Sequence, residues 1–387
     1  MITEPQRTLS SFLGTEVARN TTLEPILGGE SSARLFRFSH GGQTYVLRLL
    51  APKMSRERHH HEVGLTHATG AIEVGPRVRF GASDESAIVY DYTPGRTISL
   101  RDVKQVPVLD HLAHQLSRLH RSGIEIPSAV SPFERFRGFE QLAADGGVIW
   151  PQAMTRAREY LTTLEDELQY TELCPCHLDL HARNIILTPS GNTMLIDWVN
   201  GGLSDPALDI ATLFVFLGQR NEALDGFLSS HQASMGESVD MGRVERLMPV
   251  RPFVAAASSL KSLPAHASTS QLEEEMARDE PPGHELFTLP LADRPKWPMW
   301  KWGLVALEMG LSHVPYNSAG GCVPSALLRT ISLAIRINGF RLDQAFLSPS
   351  VSALLRRAIH RWGGGSRRAG VSDHAAVIVD LYVLLRR

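Results

Sequence analysis

The chain has little cysteine, little lysine, few aromatic residues and no long apolar run. Three cysteines in 387 residues cannot build a disulfide framework: Cys174 and Cys176 are separated by one residue and Cys322 is remote. A reducing compartment is therefore the simpler expectation. Only five of the 39 basic residues are lysine, and the formal charge is −2, which gives no reason to expect nucleic acid or an anionic membrane surface as a partner. No apolar stretch approaches the roughly 18 residues that a membrane span requires. The start, Met1-Ile2-Thr3-Glu4-Pro5-Gln6-Arg7, has no apolar segment of the secretory type. These absences lead us to expect a soluble cytoplasmic protein. What is present is a hydrophobic content of 43%, enough for a real core in one large or two ordinary domains. No internal repeat is apparent.

The most informative stretch runs from Cys176 to Leu187, Cys-His-Leu-Asp-Leu-His-Ala-Arg-Asn-Ile-Ile-Leu, followed by Met194-Leu195-Ile196-Asp197-Trp198. It sets His177, Asp179 and Asn184 at i, i+2 and i+7, then a turn, then an apolar strand ending in a second Asp. Phosphoryl transfer needs a carboxylate to receive the acceptor hydroxyl's proton and oxygen ligands to hold Mg²⁺ on the phosphates. The kinase catalytic loop, His-Arg-Asp-x4-Asn followed by a metal-binding Asp, has this order. Asp179 then takes the catalytic position, and Asn184 and Asp197 the metal positions. The competing reading is a loop between two apolar strands whose Asp and Asn cap turns.

The runs HLDLHARNIIL, LIDW and DPALDIA together resemble the aminoglycoside phosphotransferase and choline kinase family, small-molecule relatives of the protein kinases. The resemblance covers roughly residues 22 to 263 and is strongest from 174 to 212. It implies a bilobal α+β fold of the protein-kinase type, with an antiparallel-sheet nucleotide-binding lobe over residues 1–92 and a mostly helical catalytic and acceptor-binding lobe over residues 93–387. It also implies ATP and Mg²⁺ between the lobes. The family's loop usually reads His-Gly-Asp or His-Asn-Asp, so Leu178 departs from it.

In the first lobe, Gly28 to Arg34 reads as a tight turn between two strands, and the resemblance assigns Gly29, Ser31 and Ser32 to the β- and γ-phosphates. A plain hairpin turn has the same sequence signature. After a second turn at His40-Gly41-Gly42-Gln43, the strand Tyr45–Leu50 puts Val46 and Arg48 on one face. By the resemblance Val46 covers the base and Arg48 stands where kinases carry a phosphate-binding lysine. A helix is expected over Met54–Thr69, with Ser55 as N-cap. Glu62 is the chosen partner of Arg48, Glu57 the alternative. His59, His60 and His61 point about 100° apart on a helix and cannot all face one ion, so they read as a solvated face rather than a metal site or a tag remnant. Strands over 77–81 and 87–92 complete a five-stranded antiparallel sheet, and the resemblance makes Asp91, Tyr92 and Thr93 a hinge whose backbone binds adenine.

In the second part, Leu109, Leu112, Leu116 and Leu119 mark a helix over 108–122, whose His120 reads as packed or capping rather than catalytic. Residues 124–150 read as an irregular insertion and 151–170 as a helix. Asp205-Pro206 suits a helix start, with Asp209 near its first-turn amides, and 208–217 is apolar on every side. Further helices are expected over 222–233, 240–263, 297–313 and 322–338. Glu273-Glu274-Glu275 and the Trp297, Trp300, Trp302 cluster offer an ammonium-binding reading beside the ordinary ones of a charge run and a packed cluster. The functional expectation is ATP- and Mg²⁺-dependent transfer of the γ-phosphate to a small hydroxyl compound. His177 anchors the loop and Glu62 orients Arg48. A catalytically weak nucleotide-binding homologue and a nucleotidyl transferase remain as alternatives.

Overall fold

The structure, a computed structural model, describes residues 3–26, 33–52, 54–126, 131–168, 172–217, 222–264, 272, 275, 283–289 and 293–314. The chain divides into two compact units, residues 1–313 and 314–387, and the architecture below is that of the first. The glycine turn with Gly29, Ser31 and Ser32 and the expected helix at 322–338 lie outside the described residues.

Two helices precede the sheet where the sequence reading has none, α1 (Glu4–Leu13) and α2 (Thr15–Asn20). Thr3 and Gln6 cap α1 reciprocally, and Leu9 with Phe12 lies against Phe38, Tyr45, Leu47 and Leu49 of the sheet. Burying a side chain of this size contributes about 1.5–3 kcal/mol, which is why a polar-looking start is ordered. The sheet holds β1 (Glu24–Ile26), β2 (Arg34–His40), β3 (Gln43–Leu49), β4 (Val78–Gly81) and β5 (Ala87–Asp91), in the order β1-β2-β3-β5-β4, with every pairing antiparallel. Alternation along β3 sends Tyr45, Leu47 and Leu49 into the core under α1 and leaves Val46 and Arg48 on the opposite face. Gly41 and Gly42, at φ 58° and 77°, close the β2–β3 hairpin, which only residues free at positive φ do without strain.

Helix α3 (Arg56–Ala71) follows, and the Ser55 hydroxyl accepts from the Arg58 amide at its start. The three histidines diverge, and the expected solvated face holds for His60 but not for buried His61. His59 Nε2 donates to Ala51 O at 3.0 Å, His60 meets Glu85, and buried His61 donates to Gly201 O at 2.7 Å.

The remainder is mostly helical: α4 (Val106–His120), α5 (Pro132–Asp145), α6 (Ala153–Leu168), α7 (Pro206–Leu217), α8 (Glu222–Met235), α9 (Met241–Leu247), α10 (Val250–Leu260), α11 (Gly283–Thr288) and α12 (Met299–Leu311). Helix α5 corrects the irregular insertion expected over 124–150. Ser131 and Glu134 form a capping box, and Phe133 and Phe136 are buried one turn apart. The helix expected over 240–263 is interrupted at Met248-Pro249, where proline supplies no N–H. Helix α7 is buried from Ala207 to Leu217. Gly303 and Gly310 let α12 approach α10, because a Cβ at these positions would lie 2.9 Å from Leu260 and 2.5 Å from Phe253. Among the described residues no helix is long and apolar enough to cross a membrane.

Short strands carry the polar loop through these helices. β7 (Cys174–Cys176) pairs with β10 (Gly202–Ser204). β6 (Arg96–Thr97), β8 (Ile185–Leu187) and β9 (Thr193–Leu195) form a second small sheet in the order β6-β8-β9.

Candidate functional site

The loop of residues 177–184 runs from β7 to β8, and residue 197 follows β9. Because β8 and β9 form a hairpin, the two ends of the motif return together, and the Ile196 amide donates to Asn184 O at 2.9 Å. His177 ties the same segments through its ring. Its Nε2 donates to Ile196 O at 3.0 Å, while its Nδ1 accepts from the Asp179 amide at 3.3 Å. The ring is buried against Trp198, 4.6 Å between centroids.

Leu178 sits at φ 60°, in the left-handed region that costs an ordinary residue about 1–2 kcal/mol. The family's Gly or Asn at this place is the residue type that adopts the region freely. Here the buried Leu178 side chain and a strong acceptor offset the strain. The Asp209 carboxylate receives the amides of His177 and Leu178 at 2.8 and 2.7 Å and the His120 Nε2–H at 3.1 Å. Asp209 is thus structural, as its sequence context implies, but it serves the loop rather than the first turn of its own helix. His120 is packed, its Nδ1 accepting from His231 Nε2 at 3.3 Å. His120, Cys174 and Cys176 bring ligand atoms within 4.8 Å of one another. Burial pushes the Cys176 thiol well up, and the three side chains pack as a layer behind the loop.

The Asp179 carboxylate is buried and heavily engaged. Arg251 of α10 donates to Oδ1 through Nε at 3.0 Å and Nη2 at 2.6 Å, and the Asn200 amide donates to Oδ2 at 2.8 Å. Arg135 of α5 holds Asn200 at its side-chain and backbone oxygens. His181 Nε2 lies 3.6 Å from Oδ1. Burial alone would raise the Asp179 carboxyl, but Arg251, His181, His177 and the Asn200 hydrogen bond overcome it and hold the group well below the usual carboxylate range. Arg251, Asn200 and Arg135 carry no sequence signal of this role. They reach Asp179 through tertiary packing alone.

On the sheet side, Arg48 Nη2 bridges two carboxylates, Glu62 of α3 at 2.6 Å and Asp197 at 3.0 Å. The Arg48–Glu62 contact takes the partner chosen in the sequence rather than Glu57. Burial opposes the charge on both partners. The two acids raise Arg48 nonetheless, and Glu62 is pushed up by burial and by Asp197 against the pull of Arg48. Glu62 Oε2 takes no hydrogen bond, so one guanidinium serves two acids without satisfying them. Asp197 itself is held in left-handed backbone, φ 65° and ψ 71°.

The donor set fits a hard divalent cation. Asn184 spends its Nδ2 on Asp179 O at 2.9 Å, which directs its oxygen away from that bond. Asp197 spends only Oδ1 on Arg48 among the described residues. A carboxylate oxygen and an amide oxygen are Mg²⁺-type ligands.

Val46 is buried beside Arg48 on β3. In the hinge, the Asp91 amide donates to Arg77 O and the Tyr92 amide to Thr44 O, both at 3.0 Å, so neither is open to a base. The N–H of Thr93 is the hinge donor with no partner among the described residues. The Asp91 carboxylate is taken by Arg79 at 2.8 Å. A cavity of about 770 Å³ lies elsewhere, lined by Glu16, Asn20, Glu24, Arg37 and, of the expected site residues, Tyr92 alone.

Two rings of the tryptophan cluster, Trp297 and Trp302, are occupied by cations of the chain itself. Lys301 Nζ stands 4.2 Å from the Trp297 ring and the Arg294 guanidinium 5.0 Å from Trp302. Glu275 pairs with Lys301 at 3.5 Å. Glu273 and Glu274 lie outside the described residues.

Comparison with known proteins adds three findings. The model of the phosphotransferase enzyme family matches residues 22–241. Protein LicA of Haemophilus influenzae is 28% identical over 137 residues, 35% of this chain and 51% of that protein. Thiamine kinase of Shigella boydii is 28% identical over 200 residues, 50% of this chain and 65% of that protein. The chain thus spans about half to two thirds of these curated relatives. Among solved structures, a choline/ethanolamine kinase family protein from Mesorhizobium loti superposes with a TM-score of 0.56 at 17% identity, covering 79% of this chain and 98% of that one. The shared fold is α+β and protein-kinase-like, an antiparallel N-terminal sheet followed by helices.

Proposed function

The chain belongs to the phosphotransferase enzyme family, and from that premise we propose that it moves the γ-phosphoryl group of ATP to a hydroxyl of a small molecule. The observation that carries this reading is the junction of the Asp179 loop with Asp197 through the His177–Ile196 and Ile196–Asn184 bonds. It supports one reaction centre served by all three polar residues.

On this reading residues 1–92 hold the nucleotide and the residues from 93 onward supply the loop and the acceptor site. Thr93 donates to the base, Val46 covers it, and Gly29, Ser31 and Ser32 approach the phosphates. Arg48 offers charge to the phosphates and Glu62 fixes its direction. Asn184 and Asp197 hold Mg²⁺, which neutralises charge on the phosphate oxygens when bound. Arg251 and Asn200 occupy three of the roughly four acceptor positions of the Asp179 carboxylate. The fourth, on Oδ2, takes the acceptor O–H. That oxygen attacks the γ-phosphorus, the bond to the β,γ-bridging oxygen breaks, and ADP leaves. The depressed proton affinity of Asp179 suits a group that aligns the hydroxyl throughout and receives its proton late. A cytoplasmic location follows from dependence on cellular ATP and agrees with the cysteine usage.

The test is the mass of the product formed from ATP and a hydroxylated acceptor. A gain of about 80 daltons marks phosphoryl transfer, whereas a nucleotide-sized gain assigns the site to nucleotidyl transfer and overturns the proposal.

A further inference from the structure

Cys174 and Cys176 stand immediately before the Asp179 loop, and the phosphotransfer reading makes no use of them. They are the first and last residues of β7, so the period of two puts both side chains on one face. Their sulfurs are 3.8 Å apart. Cys176 is buried and Cys174 half-buried, so one thiol of the pair is open to a small solute. The Cys176 thiol donates to Ser204 O at 3.5 Å, a weak bond. His120 brings a ring nitrogen within 4.8 Å of both sulfurs, but its Nε2 is engaged by Asp209 and its Nδ1 by His231. The two sulfurs that remain are too few for a closed tetrahedral metal centre. They are the right number for a disulfide.

The position makes such a bond consequential. The sulfurs must close from 3.8 Å to about 2.05 Å. β7 is three residues long and pairs with β10 alone, and its middle residue, Pro175, offers no N–H to that ladder. A Cβ at Gly201 would lie 3.2 Å from Cys176 O, so residue 176 has little room to yield on that side. The next residue is His177, whose amide is bound to Asp209 and whose ring is bound to Ile196. Contraction of β7 therefore pulls on the loop that carries Asp179. Two extended residues span about 6.6 Å, near the upper end of the Cα separation that a disulfide accepts, so the bridge is strained and readily reduced. In a reducing compartment disulfides are of this transient, redox-sensing kind.

We propose that Cys174 and Cys176 form a reversible disulfide, made by a peroxide, that displaces the Asp179 loop and switches off phosphotransfer. The disulfide itself is independent of the phosphotransfer reading, and its effect on turnover rests on that reading. Cys174, the accessible thiol, loses its proton and attacks one peroxide oxygen. The O–O bond breaks, the released hydroxide takes up that proton as water, and Cys174 becomes a sulfenic acid. The Cys176 sulfur then attacks the Cys174 sulfur, the S–O bond breaks, and the hydroxyl leaves with the Cys176 proton as a second water. Two thiols are oxidised, and the peroxide is reduced by two electrons to two waters.

The test titrates hydrogen peroxide into the full chain and follows thiol state beside ADP formation from Mg²⁺-ATP over sugars, choline, thiamine and aminoglycosides. Trypsin cuts after Arg158 and Arg183 and releases both cysteines in one peptide, apart from Cys322, so the mass of that peptide reads the bond. The oxidised peptide should lack two hydrogens. Turnover should fall at least about tenfold, since misplacing reacting groups by about an ångström costs on the order of 10²-fold, and dithiothreitol should restore both. Cys174→Ser should keep its turnover under the same peroxide. Cys176→Ser, which lacks the resolving thiol, should stop at a sulfenic acid that dimedone traps. If the peptide keeps both thiols free, carries only added oxygen, or is bonded to Cys322 or to a second chain, the disulfide falls. If the disulfide forms and turnover holds, its control of the loop falls. A reduced wild type that forms no more ADP than Asp179→Ala overturns the phosphotransfer reading instead, and the peptide mass still decides the disulfide.

Discussion

The two sides of the site carry opposite charge arrangements. At Arg48 one guanidinium faces two carboxylates, Glu62 and Asp197. At Asp179 one carboxylate faces Arg251, and Arg135 stands behind it, holding the Asn200 that donates to the same carboxylate. The first side has negative charge left over, which a divalent cation would complete, whereas on the second the cation and the carboxylate are paired with each other. The proposed Mg²⁺ site therefore lies on the Asp197 side, where a carboxylate oxygen is left over, and not on the Asp179 side, where Arg251 and Asn200 take up the carboxylate.

The strongest way to break this comparison is to remove its sheet-side cation. Arg48→Met leaves Glu62 buried with no partner, and we expect a loss of about 3–5 kcal/mol in stability by chemical denaturation. Arg48→Met combined with Glu62→Leu should restore much of that stability without restoring turnover. An unchanged denaturation midpoint in the single variant would mean that the pair does not hold the sheet to α3.

A smaller effect is expected on the other side. Arg251→Met removes the cation that does most to hold the Asp179 carboxyl down, so the acid limb of the pH–rate profile should move toward neutral pH. The sign for stability is the same. A carboxyl depressed on folding contributes stability fully above its unfolded value of about 3.9, and that contribution is lost as pH falls through the folded value. The variant should therefore lose stability at neutral pH and less of it on acidification. An acid limb that stays in place would show that Arg251 does not govern Asp179.

Much of this site was legible in the sequence because its parts are local. The spacing of His177, Asp179 and Asn184, the strand period that pairs Val46 with Arg48, and the Ser55 cap that fixes the phase of the helix bearing Glu62 are each set within a few residues. What was not legible is tertiary. Arg251 is 72 residues from Asp179 and Arg135 is 65 from Asn200, and nothing near either arginine announces a partner. Helix α5 was hidden by the proline and glycines around it, although Ser131 and Glu134 spell its cap. The helices before Leu23 were hidden because only one face of α1 is apolar, and its partner is a sheet that follows in the chain. The tryptophan cluster and Glu275 follow the ordinary reading that the sequence offered beside an ammonium site. Side chains suited to an amine acceptor are suited equally to Lys301 and Arg294, which are already there.

The most direct measurement is single-turnover transfer of the γ-phosphate by the wild type and by Asp179→Ala, with the Kd for Mg²⁺-ATP determined on the same samples. The account predicts a fall of about 10²–10⁴-fold in the transfer rate, the usual contribution of a group that receives the proton, with the Kd within about threefold because the proposal gives Asp179 to the acceptor hydroxyl and not to the nucleotide. Transfer at close to the wild-type rate would contradict it.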